Sequence, residues 1–71
     1  MLNVDPCEQF GINLRKLRHQ SGLSQEQLAS LADLDRTYVS SAERGLRNVS
    51  LKNIFKLANA LKVSPCELVK V

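Results

Sequence analysis

Tryptophan is absent, and the aromatic residues are Phe10, Tyr38 and Phe55 alone. The apolar fraction of 44% is nevertheless ordinary for a globular chain, so a core is possible. Histidine occurs once, at 19, between Arg18 and Gln20, and reads as a solvated side chain rather than a catalytic base. Cys7 and Cys66 lie far apart and match no metal-ligand spacing. Both thiols read as reduced, small apolar groups and not as a disulfide. With three glycines and two prolines there is no glycine-rich phosphate loop, and no Ser/His/Asp or Cys/His arrangement supplies a nucleophile. These absences set enzyme chemistry aside and imply neither a metal nor a cofactor. No apolar run approaches the ~20 residues of a membrane span, and no signal segment is evident. The expected location is the cytoplasm, with no membrane partner.

What is present is a chain of 71 residues, enough for one domain over 1–71 and for a small core. Exposed apolar surface on so small a domain is often buried in a dimer. The net charge of +3 is unevenly spread. From Arg36 to Lys62 there are six basic residues and one acid, whereas the first 35 residues hold three basic and five acidic ones. A basic segment of that kind suits a polyanion, although charge alone does not separate this from a solvated surface.

The pattern predicts an all-α fold of five helices, without strand alternation, internal repeats or low-complexity tracts. Asp5-Pro6-Cys7-Glu8 starts the first helix, with Asp5 as cap and proline at the first helical position. Phe10, Leu14 and Leu17 then recur at helical spacing until Ser21-Gly22. Ser24 with Gln27 forms a capping box for a second helix whose Leu28, Ala29 and Ala32 share one side. Asp35 is placed to cap a third helix that Gly45 ends. Ser50 caps a fourth, whose Leu51, Ile54, Phe55, Leu57, Ala58 and Leu61 cover more than half its circumference. Ser64-Pro65-Cys66-Glu67 opens a fifth.

The second and third helices, over about 24–45, read as a helix-turn-helix unit, in which the second member enters the DNA major groove. If Val39 and Ala42 point inward, then Arg36, Ser40 and Arg44 recur at i, i+4 and i+8 outside, flanked by Thr37 and Ser41. Arginine, threonine and serine reach base edges and phosphates. The competing reading is a solvated helix in an ordinary bundle.

The set Arg18, Gly22-Leu23-Ser24-Gln25, Leu28-Ala29, Tyr38-Val39, Glu43-Arg44-Gly45, Ser50-Leu51, Leu57-Ala58, Leu61 and Val63-Ser64-Pro65 resembles the Cro/repressor-type helix-turn-helix regulators. The segment Leu34 to Ser40, with Glu43-Arg44 and Arg47-Asn48, is more similar still to the controller proteins of restriction–modification systems. The resemblance implies a compact five-helix bundle of the lambda-repressor-like type. It further implies a homodimer on a pseudo-palindromic double-stranded DNA operator, regulating its own gene and the endonuclease gene. Phage-type repressors and antitoxin-like autoregulators share much of the pattern. RNA polymerase is a candidate further partner, and no small-molecule ligand is expected because no separate domain would bind one.

Resemblance and helical position together assign Arg36, Thr37, Ser40 and Ser41 to base contacts. They assign Gln25, Tyr38, Arg44, Arg47, Asn48 and Lys52 to the DNA backbone. Arg18 and Glu43 are expected to form an ion pair fastening the first helix to the third. Two departures from the family pattern stand out: Asp33 occupies the turn position usually held by glycine, and Ala42 the place of a large aliphatic. Leu46 or a side chain of the fourth helix is then needed to fill the space beside Ala42. The dimerisation surface is expected over about 55–71, on Phe55, Asn59, Lys62, Val63, Cys66 and Val69, and both ends of the chain read as complete. A second function class, a non-catalytic module that recruits a protein through the apolar face of the fourth helix, remains open at this point.

Overall fold

The computed structural model describes residues 5–71. Five helices follow in order: α1 (Pro6–Gln20), α2 (Gln25–Ala32), α3 (Arg36–Glu43), α4 (Leu51–Leu61) and α5 (Cys66–Val69). No strand occurs among the described residues. Each start has a local cause. The Asp5 carboxylate accepts from the Cys7 amide at 2.9 Å, and proline follows at the first helical position. Ser24 and Gln27 exchange both capping-box bonds, at 3.0 and 2.8 Å. Ser50 Oγ accepts from the Asn53 amide at 3.2 Å. At α5 the Ser64 hydroxyl accepts from the Cys66 amide at 3.3 Å, while Pro65 is already helical in backbone conformation. Asp35 departs from expectation: it occupies the cap position of α3, but its side chain makes no capping bond.

The first four helices stop by one device. The residue after the cap turn goes left-handed, and the next amide reaches back five residues, as Leu46 does to the Ser41 carbonyl at 3.0 Å. Glycine takes the left-handed place at 22 and 45, but Asp33 (φ 58°) and Lys62 (φ 60°) take it at the other two.

Leu14, Leu28, Val39, Leu57 and Leu68 are fully buried, one from every helix. Burying a side chain of this kind contributes about 1.5–3 kcal/mol, so every helix has its own hold on the centre. Asn13 ties the end of the chain to α1, donating to the Leu68 and Lys70 carbonyls at 3.0 and 2.7 Å.

The space beside Ala42 is closed in a way the composition of α3 does not suggest. Leu46 is 65% exposed and does not fill it. Instead α1 approaches α3 directly at Gly11, where an added Cβ would lie 2.6 Å from the carbonyl oxygens of both Ala42 and Glu43. A glycine in the middle of a helix is unfavourable by itself and signals a close backbone approach. Here the approach sets the seat of α3 on α1.

Candidate nucleic-acid interface

The α2–α3 pair is joined by Asp33-Leu34-Asp35, with Leu34 N bonded to the Ala29 carbonyl at 2.8 Å. Val39 and Ala42 are fully buried on α3. At about 100° per residue, Arg36, Ser40, Arg44, Thr37 and Ser41 then occupy an outward arc of roughly 140°. Arg36, Thr37 and Arg44 are exposed, while Ser40 and Ser41 are half-buried.

The inner end of α3 is held by charge. Arg18, only 8% exposed, gives Nε to Glu43 Oε2 at 2.6 Å and Nη2 to Glu43 Oε1 at 3.0 Å. Its Nη1 donates to the Leu23 carbonyl at 2.9 Å, in the turn between α1 and α2. Gln25 completes the group by donating to Glu43 Oε1 at 3.1 Å. The hydrogen bond to the Glu43 carboxylate, opposed by burial, holds the Arg18 guanidinium above its already high ordinary range. One arginine therefore connects α1, the α1–α2 turn and the end of α3. Gln25 half-faces this network, so its side-chain amide is engaged inside the protein, a position that the cap pattern of α2 does not reveal.

The Ser41 hydroxyl is engaged within the protein. It donates to the Thr37 and Tyr38 carbonyls at 2.9 and 3.1 Å and accepts from Arg47 Nε at 2.9 Å. A hydroxyl has one proton, and this one is spent on the backbone. Tyr38 is half-buried, with the Arg47 guanidinium carbon 4.8 Å from its ring centroid. Arg47, Asn48 and Lys52 are exposed on the loop after α3 and on the start of α4. The basic side chains thus lie along α3 and its exit.

A helix-turn-helix family model matches residues 14–68. The chain belongs to the helix-turn-helix family of DNA-binding transcription regulators. Among its relatives, the control protein C.BamHI of Bacillus amyloliquefaciens is 53% identical over 60 residues, covering 83% of this chain and 74% of the relative. The crystal structure of the restriction–modification controller protein C.AhdI from Aeromonas hydrophila superposes with a TM-score of 0.86 at 60% identity. That match covers 87% of this chain and 94% of that one. The hypothetical transcription factor NHTF from Neisseria gives a TM-score of 0.89 at 44% identity, over 93% and 76% of the two chains. The five-helix architecture is therefore that of solved regulators, and the resemblance to restriction–modification controllers extends over most of the chain.

The residues assigned to dimerisation differ in exposure and in the clefts they line. Phe55, 50% exposed, and Asn59 line a shallow cleft with Leu51, Lys52 and Lys56. Val69 lines a different cavity of about 470 Å³, with Phe10, Ile54 and Arg47. Lys62 and Cys66 are exposed, but Val63 packs against the core and is half-buried. Leu51, 70% exposed, adds apolar surface beside Phe55. Among the described residues no helix is long and apolar enough to cross a membrane, and no group of His, Cys, Asp and Glu side chains could hold a metal ion.

Gly11, Asn13 and the Leu23 carbonyl carry structural roles that pattern reading passes over. Only Gly11 had a sequence signal, as a helix-breaking residue placed where no turn is needed.

Proposed function

We propose that this regulator binds duplex DNA as a homodimer on a pseudo-palindromic operator, and controls its own gene and that of a restriction endonuclease. The observation that carries the reading is the polar arc of α3. Its opposite face is buried at Val39 and Ala42, and its inner end is pinned by Arg18. A helix held so firmly on one side presents Arg36, Thr37 and Ser40 to a groove at little further ordering cost. In this reading Arg36 takes a guanine edge through its fork and Thr37 places its methyl on thymine. Arg44, Arg47, Asn48 and Lys52 hold phosphates on either side, with Gln25 and Tyr38 at the margins. The similarity to C.BamHI and C.AhdI supports the choice of regulatory system.

One recognition helix spans only a few base pairs, so the remaining affinity comes from a second copy with half-sites about 10 base pairs apart. Phe55 and Asn59, with Leu51, form the surface on which we place the pairing. We assign the exposed Lys62, Cys66 and Val69 to the same interface. RNA polymerase is the further partner when the bound dimer activates rather than blocks a promoter. Footprinting on DNA upstream of the chain's own reading frame tests the proposal. Protection of two half-sites one turn apart is expected, and equal protection of random DNA at physiological salt refutes it.

A further inference from the structure

We propose that Ser41 and Tyr38 are positioning residues for Arg47, holding its guanidinium as a preorganised phosphate-binding group at the exit of the recognition helix. The inference rests on the DNA-binding reading and goes beyond it in assigning what Ser41 and Tyr38 do. Arg47 follows α3 by four residues and is exposed, a setting in which a long side chain gains entropy by staying mobile. It is instead held at two points. Its Nε donates to Ser41 Oγ at 2.9 Å, and its planar group lies over the Tyr38 ring, 4.8 Å from the centroid. The first contact fixes where the guanidinium sits, and the second fixes its plane.

Ser41 is suited to this task because its own geometry is settled first. Its proton is committed to the Thr37 and Tyr38 carbonyls, so a lone pair is turned outward as an acceptor. Arg47 forms no ion pair among the described residues, whose two salt bridges join Arg18 to Glu43 and Lys70 to Glu67. Its Nη1 and Nη2 donors are likewise without a protein partner among those residues. A positive fork with both outer donors unused, fixed beside an exposed basic helix, is the form that takes a phosphate oxygen pair. The ordering that such a contact normally demands at the moment of binding has been met in the free protein.

The test uses the full chain with two probes: duplex DNA from upstream of its own reading frame and a random-sequence duplex of equal length. Ser41→Ala is expected to weaken binding to both by about two- to twelve-fold per half-site, the factor for ordering one rotamer-rich side chain. The salt slope should be unchanged, because no charge is lost. Arg47→Ala should weaken both and lower the slope by about one per half-site. Adding Ser41→Ala to Arg47→Ala should have no further effect, and Ser41→Thr should restore affinity by restoring the acceptor. In the free protein, the Arg47 Nε–H resonance should be shifted and protected, and Ser41→Ala and Tyr38→Leu should both abolish that signature.

A change of base preference in Ser41→Ala with random-duplex binding intact would overturn the proposal in favour of direct base reading. Multiplying losses in the double variant, or full affinity in Ser41→Ala, would overturn it as well. If the unaltered chain binds neither duplex, the DNA-binding reading itself fails, which is a separate outcome. Thermal melts of each variant identify any loss that comes from unfolding.

Discussion

Removing one partner of the Arg18–Glu43 pair should cost this small domain a large part of its stability. The side chains of Arg18 and Glu43 are 10% and 3% exposed, and two bonds of 2.6 and 3.0 Å join them. Glu43→Gln leaves a guanidinium enclosed with the Leu23 carbonyl, the His19 ring at 3.3 Å and a neutral amide, and Arg18→Met leaves a buried carboxylate facing Gln25. Stranding a buried charge in this way costs about 3–5 kcal/mol. A chain of this size is stable by about 4–10 kcal/mol in total, so either variant loses a third of that or more. With a urea slope near 1 kcal/mol/M, the midpoint should fall by roughly 3 M or more. Arg18→Met/Glu43→Leu removes both charges and should recover most of the loss, because apolar packing replaces an ion pair at little net cost.

The assay is urea unfolding followed by circular dichroism at fixed protein concentration, since the chain has no tryptophan to report. Arg18→Lys is an intermediate case: it keeps the charge but cannot bond Glu43 through two atoms and reach Leu23 as well. The sign with pH follows from the raised folded-state pKa of Arg18. Its contribution is fully present below the unfolded arginine value and is lost only as pH rises through the still higher folded one. Arginine titration therefore leaves the neutral range untouched. Single-variant losses below 1 kcal/mol that add in the double would refute the reasoning and make the pair a solvated one.

Gly11→Ala should destabilise by about 1–3 kcal/mol, since the new methyl meets two backbone carbonyls that have no flexible end to yield. DNA affinity measured well below the melting temperature should fall further than the unfolded fraction explains, because α3 is displaced. Arg36→Ala should cost on the order of 1–3 kcal/mol per half-site and relax preference at one base position, whereas Lys52→Ala should weaken all duplexes evenly and flatten the salt slope. Competition binding with single-base operator variants separates the two. Phe55→Asp should yield a folded monomer in sedimentation, and is a cleaner probe than a charge at Val63, which packs on the core. Lys62→Gly should raise stability by up to about 1–2 kcal/mol in thermal melts by relieving a left-handed lysine (φ 60°).

Much of this protein was legible in local pattern. Asp5 with Pro6, Ser24 with Gln27, and Ser50 mark helix starts, because a cap bond closes between residues two or three apart and needs no partner from elsewhere. The burial of Val39 and Ala42 and the polar arc of α3 follow from the 3.6-residue period in the same way. That period cannot say how closely two helices approach. Ala42 left a gap in the pattern, and the backbone of α1 closed it at Gly11, a contact between residues 31 apart in the chain. Helical position puts Ser41 on the outward arc, but only the folded-back loop shows that its hydroxyl accepts from Arg47. Val63 looked like free apolar surface until the turn after α4 laid it on the core. Asp35 shows the limit in the other direction, a residue of the right type at the right place whose carboxylate makes no capping bond. What sequence by itself determined are those features whose energy is settled within one or two turns of helix. Tertiary structure alone decided the contacts between helices and loops, since they depend on the crossing distance of elements that no short-range period encodes.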